Sequence, residues 1–266
     1  MISFEAFQAI KNSIVLFFLA RFSVEDLKTT EIKDFEAYLF FSISILFFLL
    51  EAFLFGIEKE RLLSILAFNL IAVFLYLFGQ WGAGDSAILM SLGFVLNFTL
   101  FYSFLNLLFI FSLGIAYSFF YSLVFAIVKK KDYILLAILP LLFLISSILF
   151  ISSNFILSLF LFLGFLYSSL PFMIKVQKDF IKKVSTKNLK EGDVLYDFKI
   201  WRGITKEELE KLRKTRKFVY VKEGIRYAPT FLIYFVILIL LQFYKIEAIS
   251  MQPSLEQFLH VLQNLF

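Results

Sequence analysis

Eight long apolar stretches constrain the fold of this chain more than any other feature. A helix needs roughly 20 mostly apolar residues to cross a bilayer, and stretches of that length that are not alternating predict helices. The predicted spans are 5–23, 36–57, 61–80, 85–101, 103–128, 132–152, 154–175 and 228–246. The expected fold class is therefore an all-α polytopic membrane protein with six to eight transmembrane helices.

The number of spans depends on two places in the sequence. Lys11 interrupts the first stretch, and only Ser152-Ser153-Asn154 separates the sixth stretch from the seventh. The region 132–175 therefore forms either a hairpin or one element that does not fully cross. The fourth and fifth stretches run together without a charge, and we place their boundary near 99–103.

The composition disfavours several classes of chemistry. Of the 266 residues, 61% are hydrophobic, well above the roughly 45–50% that is typical of soluble domains. The sequence contains no cysteine, so we expect neither disulfides nor thiol catalysis. Its one histidine, His260, is too few for a histidine-based metal site. We expect no metal and no cofactor.

Lysine and arginine concentrate in alternate loops, which predicts the orientation in the membrane. Basic residues in short loops mark the cytoplasmic side. One set of loops holds Arg21, Lys28, Lys33 and Lys129 to Lys131, together with the segment 176–227. In the opposite loops, Lys59 and Arg61 are offset by Glu58 and Glu60. We therefore predict that the N-terminus lies outside and that 176–227 is cytoplasmic.

The segment 176–227 is predicted to be a small α+β cytoplasmic insert before the last helix. Alternation at 194–201 predicts a strand, and 218–221 predicts another. Thr205 and Glu208 fit a capping box, which predicts a helix through about Lys214. The expected domains are a transmembrane catalytic domain (1–175), the insert (176–227), and the last helix with a C-terminal tail (228–266).

The charge of the insert has two interpretations that the sequence leaves open. Residues 175–226 hold 16 Lys and Arg against 8 Asp and Glu. Such a surface attracts anionic lipid headgroups by about 1 kcal/mol per basic residue, so membrane lipid is an expected partner. It is equally typical of a solvated cytoplasmic domain. Nucleic-acid binding is not expected, because no aromatic-basic platform of a known type is present.

Two aspartates, Asp26 and Asp85, are the candidate catalytic residues. Asp26 follows the first apolar stretch, and Asp85 follows Gly82-Ala83-Gly84 at the start of the fourth. The predicted topology places both on the cytoplasmic side. An ionisable group at membrane depth is costly and indicates function. Two neighbouring carboxyls share a proton, so that one activates water while the other polarises a carbonyl, as in an aspartic protease.

Each acidic residue also has a structural interpretation. Asp26 precedes Lys28 and fits an ordinary charge at a helix end, whereas Asp85 fits a cap for the helix that follows it. Glu51, inside the second span, is expected to have a packing or interface role rather than to form a polar path. Three asparagines are expected to bridge helices by hydrogen bonds: Asn69, Asn97 and Asn106.

Taken together, these motifs resemble the type IV prepilin peptidase superfamily of GxGD membrane aspartyl proteases, above all its archaeal preflagellin and prepilin peptidases. The first motif is Asp26-Leu27-Lys28 with Ile32, and the second is Gly82-Ala83-Gly84-Asp85. The tail is also similar, at Leu189–Asp193, Trp201–Thr205 and Lys222–Pro229. The chain departs from the family pattern at Thr30, Asp34 and Ala87, where the family often has a basic residue, Asn and Lys.

The resemblance implies that Asp26 and Asp85 are the catalytic pair, and that Gly82, Gly84 and Lys28 are motif or substrate-binding residues. It implies as substrate an archaellin or pilin precursor with a class III-type signal peptide, a short basic leader before a hydrophobic helix. The leader would be removed at the cytoplasmic membrane face. Archaeal preflagellin peptidases typically have six spans, and a hairpin insertion at 132–175 would reconcile that number with eight.

The sequence leaves three other functions open. A presenilin-like or signal-peptide-peptidase-like protease also uses GxGD, but it places its first aspartate after a tyrosine inside a span and has a Pro-Ala-Leu motif, which we do not find. A transporter could use Asp85 and Glu51 for ion coupling, and a membrane scaffold needs no catalyst. The sequence assigns neither the acid and base roles within the pair nor the oligomeric state.

Overall fold

The computed structural model describes residues 3–29, 32–197, 203–222 and 224–245. Within them the chain has an all-α polytopic fold with a small α+β insert. The transmembrane part contains α1 (Phe4–Thr29), α2 (Asp34–Phe55), α3 (Lys59–Leu77), α4 (Ala83–Val95), α5 (Leu100–Val128), a 3-10 turn (Asp132–Ala137), α6 (Ile138–Phe150), α7 (Phe155–Asp179) and α9 (Ala228–Lys245). The insert contains β1 (Ile181–Ser185), α8 (Lys206–Thr215) and β2 (Phe218–Lys222).

Six helical segments of the described residues are long and apolar enough to cross a membrane. They are α1, α2, α3, α5, the 3-10 turn with α6, and α7. The other two predicted spans are the shorter apolar helices α4 and α9. The protein is therefore a multi-pass membrane protein, and the predicted fold class is confirmed.

Several helix boundaries differ from the sequence prediction. Helix α1 continues to Thr29, so Asp26 lies in its last turn rather than after the span. Helix α4 ends at Val95 and α5 begins at Leu100, so the break at 96–99 overlaps the predicted boundary at 99–103 only at Thr99. No charge or proline marks that break, which is why hydropathy alone placed it several residues too late.

Helix α4 lies at the centre of the transmembrane core and packs against α2 and α3. Its inward residues Ile88, Leu89 and Leu92 are fully buried. A Cβ atom on Gly93 would lie 2.7 Å from the Cβ of Phe68, so glycine lets α4 approach α3 closely. Close backbone packing of this kind drives helix association in lipid. Helix α4 is thus a firm support for Asp85 at its start.

Helices α6 and α7 form a hairpin, which decides between the two alternatives for 132–175. The Ser147 hydroxyl donates to the Ser158 carbonyl at 2.9 Å, and the Ser158 hydroxyl donates to the Ser147 carbonyl at 2.8 Å. The Asn154 side chain caps α7 by accepting from the Leu157 amide at 3.0 Å. The serine turn at 152–154 therefore joins two separate membrane-length segments.

The insert is built on an antiparallel pair of strands, β1 and β2, with a register from Ile181 opposite Lys222 to Ser185 opposite Phe218. The predicted strand at 218–221 is confirmed as β2. The predicted capping box is also confirmed, because the Thr205 side chain and Glu208 bond each other's backbone amides at the start of α8. The insert has its own small core of Leu189, Leu195, Ile204, Leu209, Val219 and Val221.

The strand predicted at 194–201 is wrong in its described part. Only single bridges form there, from Val194 to Gly203 and from Leu195 to Val221. Residues 198–202 lie outside the described residues. The main partner of β2 is instead β1, which sequence reasoning did not propose because its two central lysines hide the alternation.

Candidate functional site

A cavity of about 1330 Å³ brings the predicted motif residues together. Its lining includes Asp26 at the end of α1, and Gly82, Gly84 and Asp85 at the start of α4. Parts of α5, the end of α7 and the insert complete the wall. Lys28 is exposed and does not line this cavity, so the substrate-contact role implied for it has no support in this geometry.

Asp26 is held at the start of the last transmembrane helix. Its side chain is buried, and its Oδ2 accepts a hydrogen bond from the Ala228 backbone amide at 3.0 Å. The Tyr227 backbone amide also faces this carboxyl. The first amides of a helix lack partners within it, and a carboxylate satisfies them well. Asp26, which lies in the last turn of α1 as its structural interpretation has it, thus also caps α9.

Asp85 is the third residue of α4, and its carboxyl faces the backbone amide of Gly82, the residue that caps this helix. Asp85 therefore stands in the first turn of α4, where an acidic side chain interacts favourably with the helix dipole. The same carboxyl lies close enough to Asp26 for the two charges to interact. Asp85 thus lies both at the start of α4 and within electrostatic range of Asp26.

The two predicted motifs contact each other at Gly84. A Cβ atom there would lie 2.9 Å from the Cβ of Ile32, which belongs to the first motif. A glycine is needed at this position because a side chain would push the α1–α2 loop away from the start of α4. This contact explains the spacing of the first motif, because Asp26 lines the cavity while Ile32 packs against Gly84 of the second motif.

An aromatic cluster forms one wall beside the aspartates. Trp81, which directly precedes the second motif, has its ring centre 5.1 Å from that of Tyr227 and 5.5 Å from that of Phe231. Tyr227 and Phe231 also contact each other, at 5.6 Å. Sequence reasoning missed this cluster. The available signal was Tyr227 itself, which directly precedes the Ala228-Pro229 start of the last span.

The rim of the cavity is predominantly acidic among the described residues. Acidic residues from three separate segments line it: Glu25, Asp34, Glu191 and Asp193. Lys33 pairs with Glu25 at 2.8 Å, so these two charges offset each other and the remaining acids outnumber the remaining lysine. Lys222 is the other lysine of the lining. Such a rim favours a positively charged ligand.

Glu51 lies in a separate, buried ion cluster. Its Oε2 is 2.9 Å from both the Lys11 Nζ and an Arg61 guanidinium nitrogen, and the Gln8 amide donates to its Oε1 at 2.8 Å. Lys11 and Asp26 are about 22 Å apart along α1, at 1.5 Å per residue. Glu51 therefore has the expected packing role, and Arg61 pairs with Glu51 rather than being offset in the loop by Glu58 and Glu60.

The three asparagines behave differently from one another. Asn106 bridges two helices as predicted, since its Oδ1 accepts from the Tyr234 hydroxyl of α9 at 2.8 Å. Asn69 instead donates to the Ile65 carbonyl within its own helix. Asn97 lines a small pocket of about 50 Å³. The prediction of helix bridging is shown only for Asn106.

Within the described ranges, no group of three or more histidine, cysteine, aspartate or glutamate side chains is arranged to hold a metal ion. His260 lies outside those ranges. Comparison of the chain with models of protein families, with curated proteins and with solved structures finds no match. The chemistry of the site therefore has to be inferred from its own residues.

Proposed function

We propose that this protein is a membrane aspartic endopeptidase of the type IV prepilin peptidase superfamily. It removes the short basic leader from archaellin or type IV pilin-like precursors at the cytoplasmic membrane face. One observation carries the proposal: Asp26 and Asp85, from two motifs far apart in the chain, line one cavity with their charges in range of each other.

The pair supplies what peptide hydrolysis needs without a metal or a thiol. One carboxylate takes a proton from water, whose oxygen forms a bond to the carbonyl carbon, while the protonated carboxyl gives its proton to the carbonyl oxygen. The resulting gem-diol then breaks its carbon–nitrogen bond. The leaving nitrogen takes a proton from the pair, and the products are an amine and a carboxylic acid.

The position of the cavity suits a substrate that is partly in the membrane. The aspartates stand at helix ends, where water and an extended leader both have access, while the hydrophobic helix of the precursor stays in lipid. A leader rich in lysine or arginine complements the acidic rim formed by Glu25, Asp34, Glu191 and Asp193. The insert contributes part of the same rim and is proposed to contribute to precursor selection.

The cytoplasmic orientation rests on the charge distribution. Asp26 and Asp85 lie on the same side as the basic insert, since insert residues share their cavity. Basic segments stay in the cytoplasm by the positive-inside rule. The leader of a precursor that has not yet crossed the membrane would meet the pair on this side.

The test is processing of a precursor in membranes. Co-expression with a prearchaellin or prepilin that carries a class III-type signal peptide should give the shortened product, and Asp26→Asn or Asp85→Asn should each abolish it. Asp197→Asn is the matched control, because that carboxylate is exposed and pairs only with the surface residue Arg216. Full processing by either dyad variant, at equal protein level, would contradict the proposal.

A presenilin-like or signal-peptide-peptidase-like enzyme would use the same pair on a different substrate. Such an enzyme would cut a membrane-embedded helix rather than a leader at the membrane face. Mass measurement of the product distinguishes the two, because leader removal leaves the whole hydrophobic helix intact.

A further inference from the structure

Tyr227 lies near both aspartates. Its backbone amide acts on the Asp26 carboxyl, and its hydroxyl lies within electrostatic range of Asp85. The side chain lines the same cavity as the pair. Tyr227 therefore stands at the site itself rather than behind it.

The ring of Tyr227 is held in place from three directions. The ring of Trp81 lies tilted against it with centres 5.1 Å apart, and the ring of Phe231 meets it edge-on with centres 5.6 Å apart. On the side of α5, a Cβ atom on Gly114 would lie 1.7 Å from the Tyr227 hydroxyl oxygen. Even alanine cannot occupy position 114 without displacing this hydroxyl, so the glycine makes the space that the hydroxyl fills.

The Tyr227 hydroxyl differs in its hydrogen bonding from the hydroxyls of Tyr234 and Tyr133. The Tyr234 hydroxyl donates to Asn106, and the Tyr133 hydroxyl donates to Asp179. For the Tyr227 hydroxyl, no such partner exists among the described residues, although burial raises its pKa and keeps it protonated. A fixed, protonated hydroxyl at the wall of the cavity is a donor ready for a ligand.

We propose that the Tyr227 hydroxyl donates a hydrogen bond to the carbonyl oxygen of the scissile peptide, which makes Tyr227 a third catalytic residue beside Asp26 and Asp85. This inference rests on the proposed function. Both carboxyls transfer protons during the reaction. The tyrosine keeps its proton throughout and stabilises the partial negative charge that develops on the carbonyl oxygen. A preorganised donor of this kind acts mainly in the transition state.

The decisive variant is Tyr227→Phe, which keeps the ring packing and removes only the hydroxyl. Loss of one such donor lowers kcat by about 10²- to 10³-fold, and KM should change by less than about threefold because ground-state binding is largely kept. The assay is single-site cleavage of a purified prearchaellin or prepilin by the full-length protein in lipid vesicles. Tyr234→Phe, in the helix α9 that follows Tyr227, is the control and should retain wild-type kcat.

Position 114 provides a second, independent test. Gly114→Ala should displace the Tyr227 hydroxyl and lower kcat at an unchanged amount of folded protein. Gly164→Ala is the matched control in the α6–α7 hairpin, where a Cβ atom would lie 2.9 Å from a ring carbon of Phe143. Gly164→Ala should retain wild-type kcat per folded molecule.

The outcomes separate this inference from the proposed function. Wild-type cleavage with a kcat loss in Tyr227→Phe alone supports the inference. Three results overturn it and leave the proposed function standing, provided that the wild type cleaves the precursor. Tyr227→Phe could keep full kcat, it could change only KM, or Tyr227→Phe and Tyr234→Phe could lose kcat equally. Absence of cleavage by the wild type, when Asp26→Asn and Asp85→Asn are equally inactive, overturns both.

Discussion

The carboxylate of Asp26 accepts a hydrogen bond from the backbone amide of Ala228 at 3.0 Å, across 202 positions of the chain. This acid, one of the proposed catalytic pair, therefore also fixes the start of the last transmembrane helix. The strand β2 ends at Lys222, only a few residues before this contact. The insert and the proposed catalytic pair are thus joined through a short connection.

Asparagine and alanine at position 26 should separate the two roles of this acid. Asp26→Asn keeps an oxygen that accepts from Ala228, whereas Asp26→Ala leaves the start of α9 without its cap, which costs about 0.5–2 kcal/mol. We expect both variants to be inactive and only Asp26→Ala to be less stable. Thermal unfolding in detergent measures the difference, and equal stability of Asp26→Ala and wild type would contradict the capping role.

Gly84→Ala should reduce processing by displacing Ile32, whose Cβ lies 2.9 Å from the added methyl group. We expect kcat/KM to fall by at least about tenfold, because a small displacement of catalytic groups from their reactive geometry lowers the rate strongly. Gly93→Ala, on the same helix but away from the cavity, is the control. It should lower stability by contact with Phe68 and leave cleavage per folded molecule unchanged. Wild-type kcat/KM in Gly84→Ala would refute the motif contact.

Glu51→Gln should destabilise the protein without removing its activity. The substitution leaves Lys11 and Arg61 buried without a counter-charge, and breaking a buried ion pair costs about 3–5 kcal/mol. Glu36→Gln is the control, because its Arg21 partner is half exposed and such a pair contributes only about 0–1 kcal/mol. Unfolding in detergent and cleavage per folded molecule are the measurements. A stable Glu51→Gln without function would favour ion coupling instead.

Thr205→Ala should loosen the insert locally. The capping box at the start of α8 would lose the bond from the Glu208 amide to the Thr205 hydroxyl, at a cost of about 0.5–2 kcal/mol. Amide hydrogen exchange in α8 should become faster, while exchange in α4 should not change. Thr215→Ala, at the opposite end of α8, should have little effect on either. Unchanged exchange in Thr205→Ala would show that packing of Leu209 alone holds this helix.

The sequence was sufficient for the parts of this fold that depend on local patterns. Lipid requires long apolar helices, so hydropathy found the eight apolar helical segments of the described residues. The capping box at Thr205 and the strand at 218–221 are also local patterns, and both are present. The grouping of Asp26 with Asp85 followed from loop charges, which act over short segments of the chain.

Features that depend on three-dimensional packing could not be read in this way. The bond from Ala228 to Asp26, the contact of Gly114 with Tyr227, and the ion cluster of Glu51 each join distant parts of the chain. A single sequence carries no signal for such pairs. The extended break after Val95 was missed for another reason, since apolar residues continue through it and only backbone geometry changes there.

The most direct test of the central claim is a double-mutant cycle on the pair, with kcat measured for a purified precursor in vesicles. Residues that act as one unit are strongly non-additive, so removal of either costs about as much as removal of both. We expect Asp26→Asn, Asp85→Asn and the double variant to show the same residual rate. Losses that multiply in the double variant, or cleavage retained by either single variant, would contradict a catalytic pair.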